Sequence, residues 1–331
     1  MNRKRILNFV LLGVICFSLS YTMLRLRNVR ASDFQWTLRA AQAIREGDNP
    51  YTVMSIQNIY PLGAPYPNPL PAAYFGLLFS PFDDYIAGAL FFTFSAITLA
   101  FAIVKSGQNW QLGILASSPF LVAGYTGQWT PLLLSGAFLP ILQGFLWCKP
   151  TVGLATFIFR PSKKGFLVLF TIGIISLLIM PHWPFYWIVA SSLSTSIHPI
   201  PILMFPGVIL ILALLCWRRK EAWVLLLMAI VPQTPFYYDQ LMLWLIPENK
   251  KQLWFLNICS WLAYGYWFSQ WGLKSMAVHL QTAQPVITWF IYLPCLGLLF
   301  WQENQRRPFR KTIERLALKF NNLIYTIKPN R

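Results

Sequence analysis

The chain has 331 residues, of which 56% are hydrophobic and 11% are charged, and its mean hydropathy is +0.50. Soluble domains carry about 25% charged residues, so this composition excludes an ordinary water-exposed globular protein and indicates an integral membrane protein. The net charge of +17 is attributed to membrane orientation and anionic lipid head groups rather than to nucleic acid. Because spanning segments satisfy their own backbone hydrogen bonds, an all-α fold is predicted.

Ten apolar segments approach the roughly 20 residues that cross a bilayer. In chain order they are 6–24, 84–104, 111–127, 129–147, 165–180, 201–217, 221–233, 236–248, 253–271 and 285–301. Residues 6–24 have no small-residue cleavage site and predict a retained helix rather than a signal peptide. The hairpin within 221–250 is short, so it is either tilted or re-entrant, with both ends on one side. The sequence predicts a polytopic membrane domain over 1–305 with about ten transmembrane helices.

Basic residues are distributed unevenly between the loops. One face takes all but six of the 27 Lys and Arg residues, and the six are Arg25, Arg27, Arg30, Arg39, Arg45 and Lys274. The positive-inside rule makes the basic face cytoplasmic. It holds both termini, the loop 149–164 and a basic amphipathic tail at 306–331. The protein is thus predicted to be a multi-pass protein of the cell membrane, with its first extracytoplasmic loop at 25–83.

The loop 25–83 contains a predicted surface helix. Phe34, Leu38 and Ala41, followed by Ile44 or Arg45, recur at helical spacing. Ser32 or Asp33 suits the N-cap of this helix, and Gly47 suits its C-terminal end. A turn, "GDNPY", and a proline-rich stretch, "IYPLGAPYPNPLPAAYFGLLFSPFDD", follow, and together they predict a stiff aromatic lid.

Most residues capable of acid–base chemistry lie on the predicted extracytoplasmic side. They are Asp33, Glu46, Asp48, Asp83, Asp84, His182, His198, His279 and, if the short hairpin crosses, Asp239. This asymmetry indicates chemistry or recognition on that side. Asp33 fits two compatible interpretations, an N-cap and a general base at the water–lipid boundary with its pKa raised by burial.

Three arginines, Arg25, Arg27 and Arg30, stand on the side where basic residues are scarce. They fit either snorkelling to lipid phosphates or binding the phosphate of one particular lipid. The five cysteines form no CxxC motif and no Cys/His cluster, so neither a disulfide framework nor a zinc site is predicted. The sequence also lacks a P-loop, GxGxxG, HExxH and GxSxG.

Several motifs together carry a family resemblance. "SDFQWTLRAAQAIREGDNPY" followed by "YPNPLPAAYFGLLFSPFDD" is similar to the opening of glycosyltransferase family 87, integral-membrane enzymes of the GT-C superfamily. Three later motifs occur in the family's order: "GQWTPLLL", "KPTVGLATFIFRPSKKG" and "TPFYYDQL". The resemblance covers about three quarters of the chain and implies a GT-C-like fold over 1–305.

The resemblance implies a function and a set of site residues. Asp33 would be the catalytic base, and the donor would be mannose or another hexose on a polyprenyl phosphate. A single displacement would invert the sugar, with no metal or cofactor. Arg25, Arg27 and Arg30 would bind the donor phosphate together with a histidine. The motifs do not choose among His182, His198 and His279, and His182 is preferred because it sits at a predicted helix end among aromatic residues. The same motifs make six residues substrate-pocket candidates, namely Asp48, Asn49, Tyr51, Tyr66, Gln128 and Tyr238.

Two alternatives to the enzyme are kept. One is a non-catalytic membrane protein that binds or translocates a polyprenyl lipid with the same arginines. The other is an assembly subunit without a site of its own. The sequence does not specify whether the acceptor is a lipid or a glycan.

Overall fold

The computed structural model describes residues 3–56, 62–195, 200–232, 237–270 and 283–306. These residues form helices and connecting turns without any strand, so the all-α prediction is confirmed for this part of the chain. The α-helices are α1 Arg3–Arg27, α2 Phe34–Arg45, α3 Pro50–Val53, α4 Leu70–Gly76, α5 Asp84–Lys105, α6 Ser118–Thr126, α7 Thr130–Phe138, α8 Pro150–Phe159, α9 Lys163–Ile179, α10 Trp183–Thr195, α11 Lys220–Ile230, α12 Lys250–Ser269 and α13 Ala283–Arg306. The 3₁₀ segments are Asn109–Ala116, Pro140–Cys148, Pro201–Leu203, Gly207–Cys216 and Asp239–Leu245.

Among the described residues, three helices are long and apolar enough to cross a membrane: α1, α5 and α13. The pair α9 and α10 would make a fourth span if counted together, although the two helices are bent by 98°. The predicted count of about ten spans therefore stays a prediction beyond these helices.

Helices α1 and α5 form an antiparallel pair. The rings of Phe9 and Phe101 lie 6.4 Å apart near one end of the pair, and the Tyr85 hydroxyl donates to Asn28 Oδ1 at 2.7 Å at the other. The predicted loop 25–83 thus begins and ends at the same end of the bundle. We call this the Asp33 end and its counterpart the opposite end.

Residues 129–147, predicted as one span, fold back on themselves instead. The segment is divided into α7 and the 3₁₀ turns from Pro140, and Gln143 Nε2 donates to the Gly136 carbonyl at 3.3 Å across the bend. Proline has no backbone N–H to continue the α-helical ladder, which explains a break at Pro140. As a result both ends of the segment lie together, with Lys149 Nζ 3.5 Å from Gln128 Oε1.

The sequence-based topology placed Lys149 on the basic cytoplasmic face with the rest of 149–164. The structure instead places Lys149 at the Asp33 end, so this part of the prediction is wrong. Only the later part of that loop returns to the opposite end, because α8 runs back along α7. There an Nη1 of Arg160 donates to the Phe138 carbonyl at 2.7 Å.

The segment 221–250 is a hairpin with both ends at the opposite end, as the sequence predicted. Arg219 contacts Glu221 at 3.3 Å and Glu248 at 2.6 Å, which places the start of α11 beside the end of the returning segment. The returning segment begins with Asp239 at the Asp33 end, where it meets Lys149. Residues 233–236 lie outside the described residues.

Short helices cover the Asp33 end. The predicted surface helix is confirmed as α2, whose face carrying Phe34, Leu38 and Ala41 is buried. Helix α10 bends over α3 and α4, and the Tyr186 ring stacks on Tyr51 at 6.2 Å. The predicted aromatic lid stays a prediction, since residues 57–61 of that stretch lie outside the described residues. His198, His279 and the tail beyond Arg306 also lie outside them.

Candidate active site

Asp33 occupies the N-cap position of α2 but does not cap it. Its backbone is in the helical region, with φ −65° and ψ −22°, and its side chain makes no capping hydrogen bond. The backbone N–H of Asp33 donates instead to the Thr126 carbonyl at 3.0 Å. The interpretation of Asp33 as a side-chain N-cap is therefore wrong, and the carboxylate is available for other contacts.

Two side chains from distant parts of the chain donate to the Asp33 carboxylate. Gln128 Nε2 donates to Asp33 Oδ2, and the Tyr238 hydroxyl donates to the same oxygen at 3.3 Å. Both donors are buried. Among the described residues no hydrogen bond reaches Asp33 Oδ1, so one carboxylate oxygen is left for a further contact.

A buried ion pair adjoins these donors. Lys149 Nζ lies 2.8 Å from Asp239 Oδ1 and 3.0 Å from Asp239 Oδ2. The Asp239 side chain is 2% exposed and the Lys149 side chain 20%, and Thr130 Oγ1 donates to Asp239 Oδ1 at 3.2 Å. Lys149 Nζ also stands 5.1 Å from the centre of the Tyr238 ring. Asp33, Gln128, Lys149, Tyr238 and Asp239 form one connected group, which we call the Asp33 cluster.

The surroundings of Asp33 raise the pKa of its carboxyl to about 6. Desolvation is the largest cause, and the charge of Lys149 and the Tyr238 hydrogen bond oppose it, while the charge of Asp239 adds to it. The Asp33 side chain nevertheless keeps exposed surface. Such a group changes its protonation near neutral pH and remains reachable by a ligand.

The residues that surround Asp33 lie where one helical segment ends and the next begins. Gln128 follows Gly127, which ends α6 in the left-handed region at φ +63°. A Cβ at Gly127 would lie 2.6 Å from the Ala31 carbonyl, so only glycine lets this turn approach the Asp33 loop closely. Lys149 stands between two helical segments, and Tyr238 precedes the 3₁₀ segment Asp239–Leu245.

The three predicted phosphate-binding arginines lie around the Asp33 end but do not join the Asp33 cluster. The Arg25 guanidinium lies over the Tyr85 ring at 4.3 Å, and that of Arg27 lies over the Tyr125 ring at 4.6 Å. Arg30 is 3.8 Å from Asp84 and keeps 56% of its side-chain surface exposed. These arginines form a rim rather than a single anion pocket.

Four of the six substrate-pocket candidates lie outside the Asp33 cluster. Asn49 caps α3 by accepting from the Tyr51 N–H at 3.0 Å. The Tyr51 hydroxyl donates to the Asn68 carbonyl at 3.0 Å, and its ring lies 5.7 Å from the fully buried Tyr66. Asp48 is exposed. The other two candidates, Gln128 and Tyr238, both contact Asp33.

His182 is exposed at the bend between α9 and α10. In the described part of the chain, no hydrogen bond or ion pair joins its side chain to Asp33. The structure therefore places His182 at the same end as Asp33 without making it part of the Asp33 cluster.

Sequence reasoning missed Lys149, and it included Asp239 only conditionally. Each is a single charge within a long apolar stretch: Lys149 lies between Lys105 and Arg160, and Asp239 between Glu221 and Glu248. Isolated charges of opposite sign in apolar segments are expected to pair. That signal could have suggested the ion pair, although it does not indicate the contact with Asp33.

Two surface cavities are lined by residues outside the Asp33 cluster. One of about 400 Å³ is lined by residues that include Arg39, Gln42 and Asp84, and one of about 490 Å³ includes Arg30 and Asp84. Asp33 directly precedes α2, and helical spacing places Arg39 and Gln42 on the side of α2 that faces away from Asp33. Arg39 is held by Asp84 at 2.6 Å.

No group of three or more His, Cys, Asp or Glu side chains that could hold a metal ion occurs within the described residues. No protein-family model, curated protein or solved structure matches the chain.

Proposed function

We propose that the protein is a membrane glycosyltransferase that moves a hexose, mannose or another, from a polyprenyl phosphate to an extracytoplasmic acceptor. The observation that carries this proposal is the state of the Asp33 carboxylate. It is exposed, it makes no capping hydrogen bond to α2, and its pKa is raised to about 6. The resemblance of the Asp33 segment to glycosyltransferase family 87 supports the same role.

In the proposed reaction Asp33 acts as general base. An acceptor hydroxyl gives its proton to the Asp33 carboxylate, and the acceptor oxygen forms a bond to the anomeric carbon of the donor sugar. The bond between that carbon and the phosphate oxygen breaks, and its electron pair leaves with the polyprenyl phosphate. Because the attack and the departure take place on opposite faces of the sugar carbon, the configuration is inverted.

Oδ1 of Asp33 is the oxygen we assign to the acceptor proton, since the hydrogen bonds from Gln128 and Tyr238 both end on Oδ2. Two donors on one oxygen fix the plane of the carboxylate. A fixed carboxylate lowers the entropic cost of orienting the base toward the acceptor. Such orientation of reacting groups is a principal source of enzyme catalysis.

The rim arginines Arg25, Arg27 and Arg30 are proposed to attract the anionic donor to the Asp33 end. Guanidinium groups suit phosphate oxygens, and Arg30 has the exposed surface for such a contact. His182, also exposed, is a further candidate for the departing phosphate. The opposite end carries the ion-paired Arg219 and Arg306 and the basic starts of α9 and α12, a distribution that supports a cytoplasmic placement of that end.

A transfer assay in nanodiscs tests the proposal. Wild type is supplied with a radiolabelled polyprenyl-phosphate mannose and total membrane lipid, beside Asp33→Asn and the control Glu46→Gln. Glu46 is an exposed carboxylate at the other end of α2. Removing a general base lowers the rate by about 10²- to 10⁴-fold, so product should be lost in Asp33→Asn and retained in Glu46→Gln.

Two results would contradict the proposal. Transfer by Asp33→Asn at the wild-type rate would remove Asp33 as base. Absence of product from wild type with this donor and with other hexosyl donors, together with saturable donor binding, would instead support a non-catalytic polyprenyl-lipid-binding or translocating protein, which needs only the rim arginines.

A further inference from the structure

Lys149 lies at the centre of the Asp33 cluster without touching Asp33 itself. Its ammonium contacts both carboxylate oxygens of Asp239, the Gln128 amide oxygen at 3.5 Å and the face of the Tyr238 ring. Gln128 and Tyr238 are also the two side chains that donate to Asp33. Every described hydrogen bond to the Asp33 carboxylate therefore comes from a residue that Lys149 contacts.

The contact with Gln128 has a definite chemical consequence. An amide side chain can present either its oxygen or its NH₂ group to a neighbour. The Lys149 ammonium can only donate, so it holds the Gln128 oxygen on its own side. The NH₂ group of Gln128 is thereby turned toward Asp33, where it donates to the carboxylate.

The charges around Asp33 give Lys149 a second role. Asp33 shares its surroundings with a second carboxylate, Asp239, and two such groups cannot both remain ionised in a desolvated site unless a cation lies with them. Lys149 is that cation, at 2.8 Å from Asp239. The groups that face Asp33 from the packed elements are Lys149, Asp239, Tyr238 and Gln128.

We propose that Lys149 is a positioning residue, which orients Gln128 and Tyr238 toward Asp33 and keeps the Asp33 carboxylate ionised. Its importance for sugar transfer rests on the proposed function, whereas its effect on Asp33 does not. An ionised Asp33 is the form that can accept a proton, so Lys149 would set the pH above which the base is active.

The titration of Asp33 can be followed without any substrate. A small apolar carbodiimide reacts with protonated carboxyl groups, and peptide mass spectrometry over a time course gives the initial rate of Asp33 modification at each pH. We expect this rate in wild type to fall to half its maximum near pH 6, the midpoint set by a pKa of about 6. In Lys149→Met the midpoint should rise by about one pH unit or more, because the nearby positive charge is lost.

Two further variants make the test specific. Asp239→Asn removes the second negative charge and should lower the midpoint, while Lys149→Arg keeps the positive charge and should leave it near the wild-type value. A general loss of structure would move the midpoint toward the ordinary value of 3.8. Unfolding thus lowers the midpoint, whereas the proposal requires Lys149→Met to raise it.

The result that would overturn the proposal is a midpoint in Lys149→Met that is unchanged or lowered. Transfer activity measured on the same samples separates this inference from the proposed function. A raised midpoint without transfer by wild type would support the positioning role and contradict the enzyme. Normal transfer by wild type with an unmoved midpoint in Lys149→Met would do the reverse.

Discussion

Loss of Lys149 should destabilise the protein through Asp239 rather than through Asp33. Lys149→Met leaves an Asp239 side chain that is 2% exposed and that keeps, among the described residues, one donor, Thr130 at 3.2 Å. Removing one partner of a buried ion pair costs about 3–5 kcal/mol. The remaining Thr130 bond and the 20% exposure of Lys149 favour the lower limit, so we expect about 3 kcal/mol.

The double variant Lys149→Met/Asp239→Asn should recover most of this loss. The amide introduced at position 239 is uncharged, so no buried charge is left without a partner. It can still accept a hydrogen bond from Thr130, so the remaining loss of stability, from lost hydrogen bonding, should be only about 1 kcal/mol. The double variant should then be about 2 kcal/mol more stable than Lys149→Met.

The free energy of unfolding can be measured by SDS titration in mixed micelles, followed by helical circular dichroism. Arg30→Met is a suitable control, because Asp84 keeps Arg39 at 2.6 Å and Arg30 is largely exposed; we expect a change below about 1 kcal/mol. A loss in Lys149→Met no larger than in this control, or a double variant as unstable as the single one, would refute the buried-pair argument.

Single substitutions at Asp33, Gly127 and Glu248 test three other features of the structure. Asp33 has a pKa of about 6 in the folded protein against an ordinary value of 3.8. Its contribution to stability is therefore full below pH 3.8 and is lost as the pH rises through 6. Asp33→Asn should melt at a higher temperature than wild type at pH 7.5, and this difference should vanish near pH 4. Gly127→Ala and Gly47→Ala both place a side chain at positive φ, but only Gly127 has neighbours within 4 Å; thermal melting should show a clearly larger loss for Gly127→Ala, and equal losses would contradict the close packing at this turn. Glu248→Gln weakens the contacts of 2.6 Å with Arg219 and Arg306 and should cost about 2 kcal/mol in SDS titration, whereas a cost near zero would show that the opposite end is held by apolar packing alone.

Local sequence patterns were sufficient for the elements that form without distant partners. The long apolar runs predicted the helices α1 and α5, and the run 285–301 predicted α13. The spacing of Phe34, Leu38 and Ala41 predicted the buried face of α2. In each case the periodicity or length of neighbouring residues contains the information, because a helix satisfies its own backbone within the segment.

The same patterns were insufficient where a segment reverses. The run 129–147 has the composition of a single span, and hydropathy alone does not distinguish one span from two packed halves. Pro140 and Pro150 mark the breaks, but a proline fixes only where a helix ends, not the direction that the chain then takes. This reversal is the reason that Lys149 lies at the Asp33 end.

The amino-acid sequence was enough to predict an all-α, membrane-like protein with Asp33 in a loop between two long apolar helices, and its candidate site residues included Asp33, Gln128 and Tyr238. That these three meet, with Lys149 and Asp239 beside them, follows from the packing of the helices. Gln128 and Tyr238 are 95 and 205 residues from Asp33 in the chain. Contacts over such distances depend on how the helices pack, and no local spacing of residues encodes that.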